Sequence, residues 1–252
     1  MLKVDHLTLR FEGLIATNDV SMTAEDHQVT ALIGPNGAGK TTLFNQIAGV
    51  YKPESGRIIF DGEDITGLKP YQICQKGITR TYQVIKLFSN MSVLDNVLVG
   101  MHSQLNLNFW QDIFHTAKAR KTEKEAEEKA HDLLRLVGLD AYTSYPAGAL
   151  AYGQQRLVEI ARALASNPKL VLLDEPAAGM NTKEKGDLND KIREIIARGV
   201  TVLLVEHDMS VVMNVADTIY VINSGCNLAE GTPQEIASNQ QVIEAYLGSG
   251  EY

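Results

Sequence analysis

A chain of 252 residues is long enough for one large domain with a well-buried core, and 44% hydrophobic with 21% charged residues excludes disordered, collagen-like and coiled-coil classes. Twenty-three Lys and Arg against 31 Asp and Glu leave a net charge of −8, so no overall positive field attracts a polyanion and no nucleic acid partner is expected. The only two cysteines, Cys74 and Cys226, have no metal-ligand spacing and support neither a disulfide framework nor a structural zinc site.

No apolar run approaches the ~20 residues of a membrane helix. Charges at Lys3 and Asp5 would break the apolar core of a secretory signal, so the chain is expected to stay in the reducing cytoplasm. Short β-rich runs alternate with helical patterns, which predicts an α/β fold with a mostly parallel sheet covered by helices on both faces. Val4, Leu7 and Leu9 alternate with polar neighbours within residues 1–29, and residues 57–60 precede Asp61-Gly62; both read as strands of an antiparallel β flank. Residues 30–33 read as a strand, Gly34-Pro35-Asn36-Gly37 as a turn and residues 41–48 as the helix after it.

From about residue 90 the pattern becomes helical. Ser92 with Asp95 three positions on resembles an N-cap, and Ala126, Ala130, Leu133, Leu134 and Val137 recur at helical spacing until Gly138. Residues 85–165 are therefore expected to form an inserted α-helical subdomain, with residues 1–84 and 166–252 forming one α/β core that it interrupts. The charge-dense run 118–129 reads as a solvated helix face. Strands are expected again at 169–174 and 200–205, with a shorter β pair near 218–230.

Gly34-Pro35-Asn36-Gly37-Ala38-Gly39-Lys40-Thr41 matches G-x-x-x-x-G-K-[ST], directly after a predicted strand and before a predicted helix. Glycines there let backbone N–H groups turn inward around a β-phosphate, and the following helix aims its positive end at the same anion. Lys40 is expected to neutralise the β- and γ-phosphates, Thr41 to ligate Mg²⁺ and Thr42 to reach the α-phosphate. Leu170-Val171-Leu172-Leu173-Asp174-Glu175 reads as a buried strand ending in two carboxylates at the sheet edge where ligands bind. Beside a phosphate loop, Asp174 would hold Mg²⁺ through its water shell and Glu175 would orient or deprotonate the attacking water. His207 follows a second apolar strand and would donate to the γ-phosphate, and Gln83, where core meets insert, would sense metal and water.

With these motifs the sequence resembles, nearly end to end, the nucleotide-binding subunit of an ATP-binding cassette (ABC) transporter. Leu150-Ala151-Tyr152-Gly153-Gln154 is similar to the family signature L-S-G-G-Q and precedes an apolar stripe of Leu157, Ile160, Ala161 and Leu164. The resemblance implies a RecA-like P-loop NTPase core and ATP with Mg²⁺ as cofactors. It implies that Ala151, Tyr152, Gly153 and Gln154 face the γ-phosphate held by another subunit, and that Phe11 stacks on adenine. The implied assembly is a homodimer, or a heterodimer with a paralogous ATPase subunit. Two membrane-spanning permease subunits would dock on it at the cytoplasmic face of the membrane, served indirectly by a solute-binding protein.

Two departures from the pattern stand out. Ala151 and Tyr152 replace a serine and a glycine, removing one hydroxyl contact to the γ-phosphate, and Asn181 in Ala177-Ala178-Gly179-Met180-Asn181 replaces an aspartate. Together with the long insert around 101–125 and the ending Ile243-Glu244-Ala245-Tyr246-Leu247-Gly248, these features resemble the subunit that energises branched-chain amino acid uptake. Urea or short-amide importers and the lipopolysaccharide-export ATPase have similar cassettes, and an iron–sulfur assembly ATPase is a non-transport alternative. Val84, Ile85, Leu87 and Phe88 are expected to line the groove for the membrane subunits, while Phe109, Trp110, Ile113 and Phe114 form a second apolar cluster.

Overall fold

The structure, a computed structural model, describes residues 1–101 and 117–247. The chain opens with strands β1 (Leu2–Phe11) and β2 (Leu14–Ala24), then β3 (Val29–Ile33), helix α1 (Lys40–Ile47), β4 (Ser55–Phe60) and β5 (Glu63–Asp64). Next come α2 (Pro70–Gln75), β6 (Ile78–Arg80), α3 (Val93–Gly100), α4 (Ala117–Leu136) and α5 (Tyr152–Ala165). The remainder is β7 (Leu170–Asp174), α6 (Thr182–Ala197), β8 (Thr201–Val205), α7 (Met209–Val215), β9 (Thr218–Asn223), β10 (Cys226–Gly231), α8 (Pro233–Ala237) and α9 (Gln240–Leu247).

Two sheets result. Antiparallel β2-β1-β4-β5 is the expected flank, and β10-β9-β3-β8-β7-β6 is the core sheet, parallel except for the β9–β10 pair at its edge. Strands β3, β7 and β8 are buried at every position, as parallel strands covered on both faces must be, which explains their unbroken runs of Val, Leu and Ile. Leu2, Val4, Leu7 and Ile58 of the flank pack with Leu43, Phe44 and Ile47 of α1 in one apolar layer. On the opposite face Ala130 and Leu134 of α4 pack with Ile160 and Ala161 of α5 and with Val171 and Leu173 of β7.

The Ser92 cap forms, its Oγ accepting the Asp95 amide at 3.0 Å, and α4 stops where Gly138 takes φ +75°. Residues 85–92 are not helical, and the first helix of this segment starts at Val93, directly after the expected Ser92 cap. Their backbone is held instead by side chains: the Asn96 amide accepts from the Phe88 N–H at 2.9 Å and donates to the Phe88 carbonyl at 3.1 Å. Within the charge-dense run, Lys121–Glu125 and Lys124–Glu128 pair at 3.8 Å on an exposed face. Phe109, Trp110, Ile113 and Phe114 lie outside the described residues. No described helix is long and apolar enough to cross a membrane.

Candidate active site

Parallel pairing decides which residues meet. Leu32 of β3 is level with Val205 of β8, Val205 is level with Asp174 of β7, and Leu172 of β7 is level with Arg80 of β6. Whatever follows Ile33, Arg80, Asp174 and Val205 therefore emerges along one edge of the sheet, the carboxyl edge where open α/β sheets bind ligands. The phosphate loop, Gln83, Glu175 and His207 all follow those strand ends.

The loop from Gly34 to Gly39 has no room for side chains at its two ends. A Cβ on Gly34 would stand 2.0 Å from the Ile222 carbonyl oxygen, and one on Gly39 would stand 2.3 Å from that of Ala16. Gly37 takes φ +78°, a left-handed conformation that glycine adopts without strain. The loop is braced from outside, because the Gly225 N–H in the β9–β10 turn donates to the Ala38 carbonyl at 3.0 Å. Lys40, nearly buried as the first residue of α1, turns back over the loop and donates to the carbonyls of Gly34 at 2.6 Å and Pro35 at 2.9 Å. Asn36 is exposed at the loop crest, and Thr41 and Thr42 follow in the first turn of the helix with Thr41 the more exposed. An ammonium folded over a glycine turn at a helix N-terminus is a cradle for a polyphosphate.

Facing it, Asp174 is buried, and the Arg80 guanidinium donates to its Oδ2 at 3.1 Å. Burial raises the Asp174 carboxyl above its ordinary range, and the Arg80 charge partly offsets this. The Asp174 N–H donates to Thr81 Oγ1 at 3.1 Å, and Arg80 is itself held by Asn45 Oδ1 at 2.7 Å. Glu175 has φ +48°, a strained conformation for a residue with a Cβ, so the chain turns sharply as it leaves the sheet. Gln83 Nε2 donates to Glu175 Oε2 at 3.3 Å, and His207 Nδ1 lies 3.9 Å from the same oxygen. Gln83, Glu175 and His207 thus converge on one carboxylate oxygen.

Among the described residues no group of three or more His, Cys, Asp and Glu could hold a metal ion. A divalent cation would need oxygens from a bound phosphate chain to complete its shell, as a magnesium nucleotide supplies. The donor set of Thr41, Asp174 and Gln83, hard oxygens beside a phosphate cradle, fits Mg²⁺ in that form.

Phe11 ends β1 half-exposed, with its ring edge-on to Tyr51 at 5.2 Å between centroids. Ala151, Tyr152, Gly153 and Gln154 form the N-terminus of α5, where Ala151 is the cap residue and its N–H donates to Gln154 Oε1 at 3.2 Å. A Cβ on Gly153 would lie 3.6 Å from Met180 and 3.7 Å from Glu184, so this turn packs on the segment that follows Glu175. The Tyr152 hydroxyl is bonded within the chain, accepting from Arg156 Nη2 at 3.2 Å. Asn181 caps α6, its Oδ1 accepting the Glu184 N–H at 3.0 Å, so the residue in the aspartate position has a local structural role.

A family model described as ABC transporter matches residues 17–178, and one described as Branched-chain amino acid ATP-binding cassette transporter matches residues 226–252. The chain is 49% identical over 249 residues to the high-affinity branched-chain amino acid transport ATP-binding protein BraF of Pseudomonas aeruginosa, covering 98% of each. It is 43% identical over 249 residues to LivG of Escherichia coli, again covering 98% of each. A solved ATP-binding cassette of an ABC transporter in its ADP conformation matches with a TM-score of 0.86 at 35% identity, covering 98% of both chains. This chain is an ABC transporter ATP-binding protein of the branched-chain amino acid type.

As an ABC ATPase it has a groove, of about 380 Å³, between the core and the helical segment, with Val50, Ile73, Tyr82, Lys86, Phe88 and Val99 among its lining. Of the four residues expected to line it, only Phe88 does. Val84 is 71% exposed to solvent, Leu87 packs on the helical core, and Ile85 is half-buried outside the groove. Sequence reasoning also missed charged residues in the cassette. Arg156 and Glu159, both wholly buried on α5, hold the segment after β6: Arg156 donates to the carbonyls of Tyr82 and, at 2.7 Å, of Gln83. Glu159 accepts the Lys86 N–H at 3.1 Å and Arg162 donates to the Lys86 carbonyl at 2.6 Å. The available signal was Arg156 and Glu159 at i and i+3 on the face that carries Ile160 and Ala163, where an apolar stripe has no use for charge.

Proposed function

We propose that this chain hydrolyses ATP to energise import of branched-chain amino acids. The observation that carries the reading is the shared strand register, which delivers the phosphate loop, Asp174, Glu175, Gln83 and His207 to one sheet edge. The cargo reading rests on the full-length relatives BraF and LivG, named for branched-chain amino acid transport.

In this reading Phe11 stacks on the adenine, and the loop amides from Gly34 to Gly39, Asn36 and Ala38 included, surround the β-phosphate. Lys40 exchanges its bonds to the Gly34 and Pro35 carbonyls for phosphate oxygens, and Thr42 reaches the α-phosphate. Mg²⁺ would be held by Thr41, Asp174 and Gln83, and when bound it supplies charge neutralisation at the β- and γ-oxygens. Glu175 accepts the proton of the attacking water, Gln83 holds the carboxylate that does so, and His207 donates to the γ-phosphate.

The N-terminus of α5, with Ala151, Tyr152, Gly153 and Gln154, presents N–H groups and partial positive charge to a second nucleotide bound by another cassette, identical or paralogous. The mainly apolar groove around Phe88 and Val99 takes a short helix from one permease subunit, and the second cassette takes one from the other, at the cytoplasmic face of the membrane; a solute-binding protein delivers the cargo to the permeases. Closure of two cassettes on ATP and their release after hydrolysis then shift the permease between two states through differential contact alone.

The test is Glu175→Gln in the assembled transporter. ATP binding persists, hydrolysis falls at least ~100-fold, and uptake of labelled leucine, isoleucine and valine into vesicles stops with it. Hydrolysis at the wild-type rate removes Glu175 from the chemistry, and transport of a different solute by the wild-type assembly removes the cargo.

A further inference from the structure

Tyr152 stands where the family pattern has glycine, and the structure gives its side chain two specific neighbours. Its hydroxyl accepts from Arg156 Nη2 at 3.2 Å, with the guanidinium 5.7 Å from the ring centre. Its ring lies over Gly179, where a Cβ would come within 3.0 Å of ring carbon Cδ1 and where φ is +74°. Arg156 has no exposed surface and its other bonds go to the carbonyls of Tyr82 and Gln83 and to Glu159 Oε2 at 3.0 Å.

These contacts close a ring through the catalytic carboxylate. From Glu175 the chain runs through Ala178, whose N–H donates to the Glu175 carbonyl at 3.2 Å, to Gly179 under the Tyr152 ring. Tyr152 then leads through Arg156 to the Gln83 backbone, and the Gln83 amide returns to Glu175 Oε2 at 3.3 Å. Three segments that each touch the reaction, the one carrying Gln83, the turn after Glu175 and the N-terminus of α5, are all joined through this tyrosine–arginine pair.

We propose that Tyr152 is a positioning residue for ATP hydrolysis. Its hydroxyl holds Arg156 in the rotamer that grips the Gln83 carbonyl, and its ring seats the Gly179 turn, so both flanks of Glu175 are aligned together with α5. The side chain half-exposed at the helix N-terminus is therefore part of this chain's own catalytic alignment rather than an obstruction in the signature. A glycine at 152 would leave Arg156 one fewer acceptor and the Gly179 turn uncovered. The proposal rests on the ATPase reading above.

The test compares Tyr152→Phe, which keeps the ring, Tyr152→Gly, which restores the family residue, and Arg156→Lys, which keeps the charge but cannot fork to two carbonyls. Steady-state ATP hydrolysis and thermal unfolding are measured on the full-length chain. Tyr152→Phe lowers kcat about 10-fold, leaves KM for ATP within about 2-fold and shifts Tm by no more than about 4 °C. Tyr152→Gly lowers kcat further, and Arg156→Lys reproduces the same split between kcat and KM. Wild-type kcat in Tyr152→Phe or Tyr152→Gly overturns the proposal. A rise in KM at unchanged kcat also does so, by putting Tyr152 on the nucleotide instead. The ATPase reading is judged separately, by hydrolysis in the wild-type chain and its loss in Glu175→Gln.

Discussion

Glu206, with no exposed surface, accepts the N–H of Ala177 at 2.8 Å through Oε1 while its Oε2 accepts those of His207 and Asp208 at 3.0 and 3.1 Å. One buried carboxylate thus fastens the turn after Glu175 to the strand end that carries His207. A side chain with two acceptor oxygens suits this role because three amide N–H groups converge on it. Glu206→Gln puts an N–H where an acceptor is needed, and the variant is expected to lose about 1–3 kcal/mol of stability, or roughly 2–4 °C of Tm per kcal/mol. Calorimetry of the two proteins checks this; equal Tm values would show that the three amides find other acceptors.

Arg80 is the counter-ion of a carboxylate that burial already pushes up. A raised folded pKa means that the native state holds its proton more tightly than the unfolded chain. Asp174 therefore lowers stability as pH rises from the unfolded value through the folded one, and binds a cation well only above the latter. Arg80→Ala removes the stabilising charge and moves the folded value higher. The Mg²⁺ concentration that half-saturates hydrolysis should rise in the variant, and rise more as the pH of the assay is lowered. A pH-independent increase would assign Arg80 to another role.

Asp208 behaves oppositely. Its bonds to Lys185 first, and then to Ser210, hold its carboxyl at about 2 against an ordinary 3.8. A depressed folded pKa contributes stability that is complete above 3.8 and lost as pH falls through about 2. Both side chains keep some contact with water, so the contribution is about 1–2 kcal/mol after screening. Urea unfolding of wild type and Lys185→Met should differ by that amount at pH 6 and converge toward pH 2. A gap that persists at pH 2 would trace to the packing of the lysine stem instead.

Gly34→Ala tests the cradle directly, since its Cβ would fall 2.0 Å from the backbone oxygen of Ile222, which cannot yield as a side chain would. The loop must shift away from β9, and nucleotide affinity should fall by at least ~10-fold, about 1.4 kcal/mol. Fluorescent-nucleotide titration reads this out. Gly37→Ala, where a Cβ meets open space but φ is +78°, should lose less.

The phosphate loop could be read from the chain because its requirements are local: glycines, a lysine and a hydroxyl in eight consecutive positions between a strand and a helix. The places of Asp174, Glu175 and His207 at strand ends were legible for a related reason, since each ends or follows a short apolar run of strand length. Arg80, Arg156, Glu159 and Glu206 were not. Arg80 meets Asp174 across 94 positions, and Arg156 meets Tyr82 across 74. A charge with no visible partner in sequence reads as surface. Which of Val84, Ile85, Leu87 and Phe88 faces the groove and which the core was not legible either, because hydrophobicity does not reveal which side chain faces inward when the backbone there is neither helix nor strand.

Alone, the order of amino acids determined the α/β class, the glycine turn between strand and helix and the acidic strand end, because those depend on neighbours within a few residues. Tertiary structure decided that Gln83 and His207 are brought beside the Glu175 carboxylate, that Arg156 grips the backbone beside Gln83, and that Tyr152 closes the ring. Each of those contacts joins segments tens of residues apart. Their meeting is set by strand register and helix packing, which a linear pattern does not contain.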